Sequence, residues 1–220
     1  MIAIRHRQHG QSLIEFLIAM FAFGFLLLGL FQAILFYRAK ATVDYAAMEA
    51  ARSGAVHGAT MSSMREGMAR GLTPLLAIAS GDPGKASTLL AFEKAKLVTV
   101  PLHAAIKVVS PTTSAYSDFK EDQGDGTMAL PNDSLNYRST SPGANGMSIQ
   151  DANILKIQVT YHYPMIVPIV DRVVGAILGS GPDLTYSAED GHTVYSIPIV
   201  SSAEVRMQSP ISDTSSLPAN

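Results

Sequence analysis

The stretch HGQSLIEFLIAMFAFGFLLLGLFQAILFY, residues 9–37, decides how the whole chain is read. From Leu13 to Tyr37 it is apolar except for Glu15 and Gln32, and between Phe16 and Phe31 no side chain is polar. About 20 apolar residues, rising 1.5 Å each in a helix, span the hydrocarbon core of a bilayer, and Leu13–Tyr37 reaches that length. A core helix of a soluble domain would carry a polar stripe, and this segment carries none. The residues before it, MIAIRHRQHG, are polar and hold Arg5 and Arg7. Basic residues on this flank predict a cytoplasmic amino end and place everything after Tyr37 on the far side of the membrane.

Three readings of such a segment compete. A secretory signal has an apolar region of about 7–15 residues followed by a small-residue cleavage site. Here the run is longer and passes without a break into YRAKATVDYAAMEAARSGA, residues 37–55, which is helix-forming. An uncleaved signal anchor carrying an extracytoplasmic binding domain explains the length and the orientation. It leaves Glu15 unexplained, because a carboxylate in an apolar helix costs ~2.5–3.5 kcal/mol near the centre and less toward an end.

The third reading accounts for Glu15. Gly10 borders the basic leader, Glu15 is the fifth residue after it, and the apolar run begins at once. This arrangement resembles the prepilin-peptidase site of type IV pilins and pseudopilins. The resemblance implies a cut between Gly10 and Gln11 on the cytoplasmic side, with the hydrophobic segment retained. It makes Glu15 the hallmark acid of the fifth mature position. The amine freed at Gln11, protonated near neutral pH with a pKa of about 7.7–8.0, would then neutralise Glu15 of a neighbouring subunit when the register is right. Gln11 stands where many type IV pilins carry Phe.

Beyond the apolar run, Arg38 to Ser53 continues the helix, with Val43, Ala47, Ala50 and Gly54 on one small-residue face. Gln11–Ser53 would make a helix about 65 Å long. Ser63 and Glu66 form a capping-box pair for a second helix, and Pro74 is expected to kink or end it. Ala86–Lys96 reads as a further helical stretch, which Pro101 closes. Ala105–Val109 reads as a strand, residues 117–147 as loop, and NILKIQVTYHY as the clearest strand. There Leu155, Ile157, Val159, Tyr161 and Tyr163 alternate with Lys156, Gln158, Thr160 and His162. PMIVPIVDRVVGAILG is too short and too interrupted for a second span, with core packing favoured over a partner surface and a short helix from Asp171 to Leu178. A last strand, Tyr195–Met207, is broken at Pro198, and the polar tail QSPISDTSSLPAN reads as disordered.

The second half adds to the resemblance. KVVSPTTSAYSDF (107–119), SIQDANILKIQVTYHYP (148–164) and MIVPIVDRVV (165–174), together with GQSLIEF at the amino end, are similar to TadE-like pilus assembly proteins. Residues 55–100 match only in helical character. The resemblance implies a minor pilin or pseudopilin of the tight-adherence (Flp-type) pilus, partnered by a prepilin peptidase, other minor and major pilins, membrane platform proteins and lipid. The expected architecture is a pilin-like α+β fold: long amino-terminal transmembrane and spine helix, helical middle, small antiparallel sheet. Its parts are a leader (1–10), a transmembrane helix (11–37), a helix continuation (38–54), an extracytoplasmic α+β domain (55–208) and the tail (209–220). The chain is placed in the inner membrane as a single-pass protein.

Composition narrows the alternatives. Charged residues are 15% of the chain, well under the usual quarter, while the apolar excess is concentrated near the amino end. A net charge of −2 leaves no basic surplus to attract nucleic acid. With no cysteine, a disulfide framework and a thiolate metal site are excluded. His57, His103, His162 and His192 are scattered without an HExxH pair, and no GxSxG, Walker or GxGxxG motif is present. A membrane-tethered hydrolase would need a polar cluster assembled by the fold. Asp118, Glu121, Asp122 and Asp125 lack the ligand order of an EF-hand, since Gly124 and Gly126 occupy needed positions; a solvated loop is favoured over a weak calcium site. No enzymatic activity, cofactor or metal is expected.

Overall fold

The computed structural model describes residues 11–79, 85–124, 126–179, 181–191 and 193–219. Helix α1, Gln11–Val56, is unbroken over 46 residues, about 69 Å of axial rise. The remaining helices are α2 (Met61–Ala79), α3 (Lys85–Lys94), α4 (Val100–His103), α5 (Thr113–Phe119), α6 (Ile149–Ala152), α7 (Val170–Leu178) and α8 (Leu184–Asp190). A π-helical turn, Ala95–Thr99, joins α3 to α4. Strands β1 (Ala104–Ser110), β4 (Ile154–Pro164) and β5 (Ser196–Arg206) form one sheet in the order β1-β4-β5, and β2 (Glu121–Asp122) pairs with β3 (Met128–Ala129). The long apolar helix, the helical middle and the small antiparallel sheet make this an α+β fold of the expected kind.

The chain divides into two compact units, one of residues 38–163 and 198–219, the other of residues 11–37 and 164–197 among those described. Residues 164–197 cluster with the apolar half of α1, not with the segments on either side of them.

In the larger unit the core begins on α1. Ala39, Val43, Ala46, Ala47, Ala50 and Ala51 are fully buried. Such small side chains let α2 approach very closely: a Cβ on Gly71 would lie 2.4 Å from Ala46 Cα, and one on Gly67 2.7 Å from Glu49 O. Strand β4 is the middle of the sheet. Leu155, Ile157, Val159, Tyr161 and Tyr163 all face inward, as their period-2 spacing requires. It pairs antiparallel with β1 from Ala104↔Tyr161 to Ser110↔Lys156, with a bulge beyond Val108.

Several local expectations are corrected. The capping box does not form at Ser63 and Glu66. The turn after α1 ends with Gly58 and Ala59 at positive φ, which hands the position before α2 to Thr60, and Ser63 Oγ donates to Thr60 O at 2.9 Å from inside the helix. A capping box does close α6, between Ser148 and Asp151. Pro74 neither ends nor interrupts α2, and Pro101 sits in the first turn of α4, where its missing N–H is harmless. Pro198 does not break β5, which lies at the sheet edge with Pro198 exposed.

The tail is also ordered. Ile211 is fully buried and bridges to Leu130, and Leu217 is buried. Gln208 and Ser209 N–H groups both donate to Ala55 O, at 2.9 and 3.1 Å, and so cap the carboxyl end of α1. Ser209 Oγ accepts from Gly58 N–H at 2.7 Å, and Ser216 Oγ donates to Ala59 O at 2.6 Å. Two well-placed apolar side chains outweigh the polar composition that suggested disorder.

In the smaller unit, α7 and α8 follow the Pro164–Ile169 turn. Asp183 Oδ1 accepts from Thr185 and Tyr186 N–H to start α8, while its Oδ2 accepts from Ser196 Oγ at 2.5 Å. Gly175 lies so close to the Tyr195 ring that an added Cβ would sit 2.5 Å from it.

Candidate membrane and assembly site

Among the described residues one helix, α1, is long and apolar enough to cross a membrane. Leu13, Ile14, Phe16, Leu17, Ile18, Phe21 and Leu30 are all more than half exposed. An aqueous surface of this kind would be far larger than a soluble monomer tolerates, whereas in lipid it is the ordinary state of a spanning helix. The helix anchors the chain in a membrane.

Of the sequence-predicted site residues, Glu15 is described in full: it is exposed, on the fifth residue of α1, flanked by exposed apolar side chains. Gln11 starts the described helix, four residues before Glu15. Gly10, Arg5 and Arg7 lie outside the described residues.

Gln32 is a site residue that the sequence marked only as an interruption. It is buried, at 5% exposure, and its Oε1 accepts the Val167 N–H at 3.0 Å. That bond ties the apolar half of α1 to the turn before α7. Its Nε2 is buried without a hydrogen-bond partner among the described residues. The signal available from sequence was the amide itself: a lone Gln in an apolar run has to satisfy its polar atoms somewhere.

Charged groups elsewhere are committed to holding the fold. Asp118 Oδ2 accepts from Asn145 N–H, and Asp122 Oδ1 accepts from Gly124 and Gly126 N–H. Glu121 pairs with Arg138 at 2.6 Å, a bond that raises the Arg138 pKa further, and Arg138 also reaches Asp133 at 3.3 Å. Asp125 lies outside the described residues, and no group of three metal-ligating side chains occurs among them. On α1, burial pushes Asp44 up, but hydrogen bonds from Lys40 and Ser201 with the Lys40 charge outweigh it and leave the carboxyl below its ordinary value. Of the described histidines, His57 Nδ1 lies 2.8 Å from Ser53 O, His103 is buried, and His162 is exposed.

The apolar half of α1, exposed and with a single early acid, continues into an alanine-rich half that is packed. Residues 10–52 match the TadE-like protein family model. The TadE-like segment begins at Gly10, includes Glu15 and ends within the packed half of α1, so it covers the anchor and the start of the spine. The likeness is that of residues 10–52 alone. The similarity read in residues 107–174 falls outside the matched stretch. No curated protein and no solved structure matches the chain.

Proposed function

We propose that this chain is a minor pilin or pseudopilin of the tight-adherence (Flp) pilus. In this reading prepilin peptidase cuts between Gly10 and Gln11 on the cytoplasmic face of the inner membrane. Arg5 and Arg7 hold the leader inside, and the spine helix and the larger unit emerge on the periplasmic side. The protein is then drawn into, or sits beneath, a pilus with other minor and major pilins and the membrane platform proteins.

The observation that carries this reading is the family match that opens on Gly10 and takes in both Glu15 and the apolar helix. The physical logic supports it. A carboxylate on the exposed surface of a lipid-embedded helix is unfavourable by itself and favourable beside an ammonium. Cleavage creates that ammonium at Gln11, and a neighbouring subunit offers it at the depth of Glu15 only in one register.

Amino-terminal sequencing of the protein from cells with a working prepilin peptidase tests the proposal. The mature chain is expected to start at Gln11, and Gly10→Leu is expected to leave full-length protein in the membrane. An intact Met1 in those cells would sink the pilin reading and leave the uncleaved anchor.

A further inference from the structure

We infer that Pro164–Leu178 is a second lipid-contacting element, a short re-entrant wedge that lies beside α1 in the outer leaflet and is pinned there by Gln32. The inference rests on α1 being the membrane anchor, and it goes beyond that reading, which has only one segment in lipid.

Depth follows from what the wedge touches. Counting about 20 residues from Leu13 puts the far edge of the hydrocarbon core near Gln32. Ile169 forms one wall of a groove whose other wall includes Phe21, Gly24 and Leu28 of α1. Those positions lie below Gln32 by 4 to 11 residues, which sets Ile169 about 6–16 Å inside the edge. Helix α7 then climbs back, with Val173, Val174 and Ile177 facing Gly29, Ala33 and Phe36. Any element packed against this exposed, apolar stretch of α1 is at lipid depth itself.

The surface of the wedge agrees. Ile166, Ile169, Ile177 and Leu178 are all more than half exposed. Asp171 and Arg172 instead line a cleft with Thr193 and Val194. At this shallow depth the arginine stem reaches the headgroups.

The backbone is prepared for the same environment. Irregular chain in lipid is tolerated only where its polar groups are satisfied within the protein. Pro164 and Pro168 have no N–H to satisfy. Met165 N–H donates to Tyr195 O at 2.9 Å, and Val167 N–H donates to Gln32 Oε1 at 3.0 Å. Asp171 and Val173 N–H donate to Val167 and Ile169 carbonyls, both at 3.2 Å. The amide of Gln32, an odd residue for a membrane span, thus does for the wedge what a capping side chain does for a helix end.

The absence of cysteine makes the test direct. Single cysteines at Phe21, Ile169, Ile177 and Tyr137 would be spin-labelled in the full chain. After reconstitution into phosphatidylcholine–phosphatidylglycerol vesicles, collision with oxygen would be compared with collision with a water-soluble nickel chelate. Tyr137, 95% exposed in the larger unit, is the aqueous reference, and Phe21 is the lipid reference. Ile169→Cys and Ile177→Cys are expected to show oxygen-to-nickel ratios several-fold above Tyr137→Cys and close to Phe21→Cys. Adding Gln32→Leu is expected to raise nickel access at position 169 several-fold while Phe21→Cys keeps its lipid signature. Water-like readings at 169 and 177 beside a lipid-like Phe21 would overturn the wedge and leave the anchor standing. Shielding from both reagents would overturn it in favour of a protein-covered face, and a water-like Phe21 would bring down wedge and anchor together.

Discussion

Glu15 is an acid among exposed Leu, Ile and Phe side chains of α1, and in the proposed reading it separates an anchor from an assembling subunit. A plain anchor loses a liability when Glu15 becomes apolar, so Glu15→Leu would insert as well as the parent and keep its function. For a pilin the same substitution leaves insertion and cleavage intact and removes the charge that selects the register. The expected outcome is loss of pili, or of co-purification with partner pilins, at normal protein level. Glu15→Gln preserves size and some hydrogen bonding while removing the anion, and it is expected to fail at the same step. Removing one member of a buried pair typically costs ~3–5 kcal/mol, enough to depopulate an assembled register. Unchanged piliation in both variants would remove the main support for the pilin reading. Residue-level legibility was uneven. Glu15 announced itself because its neighbours are so uniform. Gln32 did not, because its partner Val167 is 135 positions away and no local pattern points to it.

At the scale of elements, the crossing of α1 and α2 depends on a Gly67-x-x-x-Gly71 spacing set against Ala46 and Ala50. Gly71→Ala would drive a methyl group into the α1 backbone and is expected to lower the stability of the larger unit by ~1–3 kcal/mol, as overpacking does. Chemical denaturation of the detergent-solubilised chain, followed by circular dichroism, reads this out. Gly24→Ala is the matched control, since nothing lies within 4 Å of its added Cβ, and it is expected to leave the midpoint unchanged. Equal midpoints for the two variants would refute the close crossing. Strand β4 and the apolar half of α1 were readable because their periodicity is local: every second side chain inward, or no polar side at all. The glycine spacing on α2 was equally visible but means nothing until Ala46 and Ala50 are known to face it. Thr60 was missed as the residue preceding α2 because Ser63 and Glu66 offer the same chemistry three positions later, and only the turn geometry decides between them. Core packing was favoured for residues 164–174, and Met165, Val167 and Val170 are indeed buried, while Ile166 and Ile169 stand more than half exposed, a division that local pattern does not give.

For the whole molecule, the proposed topology puts both the end of α1 and the carboxyl end outside the cytoplasm. A reporter active only there is expected to work when fused after Ser53, and at Asn220 through a flexible linker, because residues 208–217 are engaged in the fold. Carboxyl-terminal protection from protease in spheroplasts would contradict this arrangement. Overall architecture was legible from the order of patterns along the chain, but the clustering of residues 164–197 with the apolar half of α1 was not, since it rests on contacts remote in sequence. One detail of the larger unit governs the timing of its completion. The carboxyl end of α1 is closed by Gln208 and Ser209, and Gly58 waits for a hydroxyl that lies 151 positions further on. Because synthesis runs from the amino end, α1 enters the membrane long before the residues that finish its other end leave the ribosome. Contacts of such separation form late. In the proposed topology the anchor is therefore in place before the carboxyl end of α1 is closed, and a chain clipped ahead of Gln208 would keep its anchor while losing the groups that bond Ala55 O and Gly58 N–H.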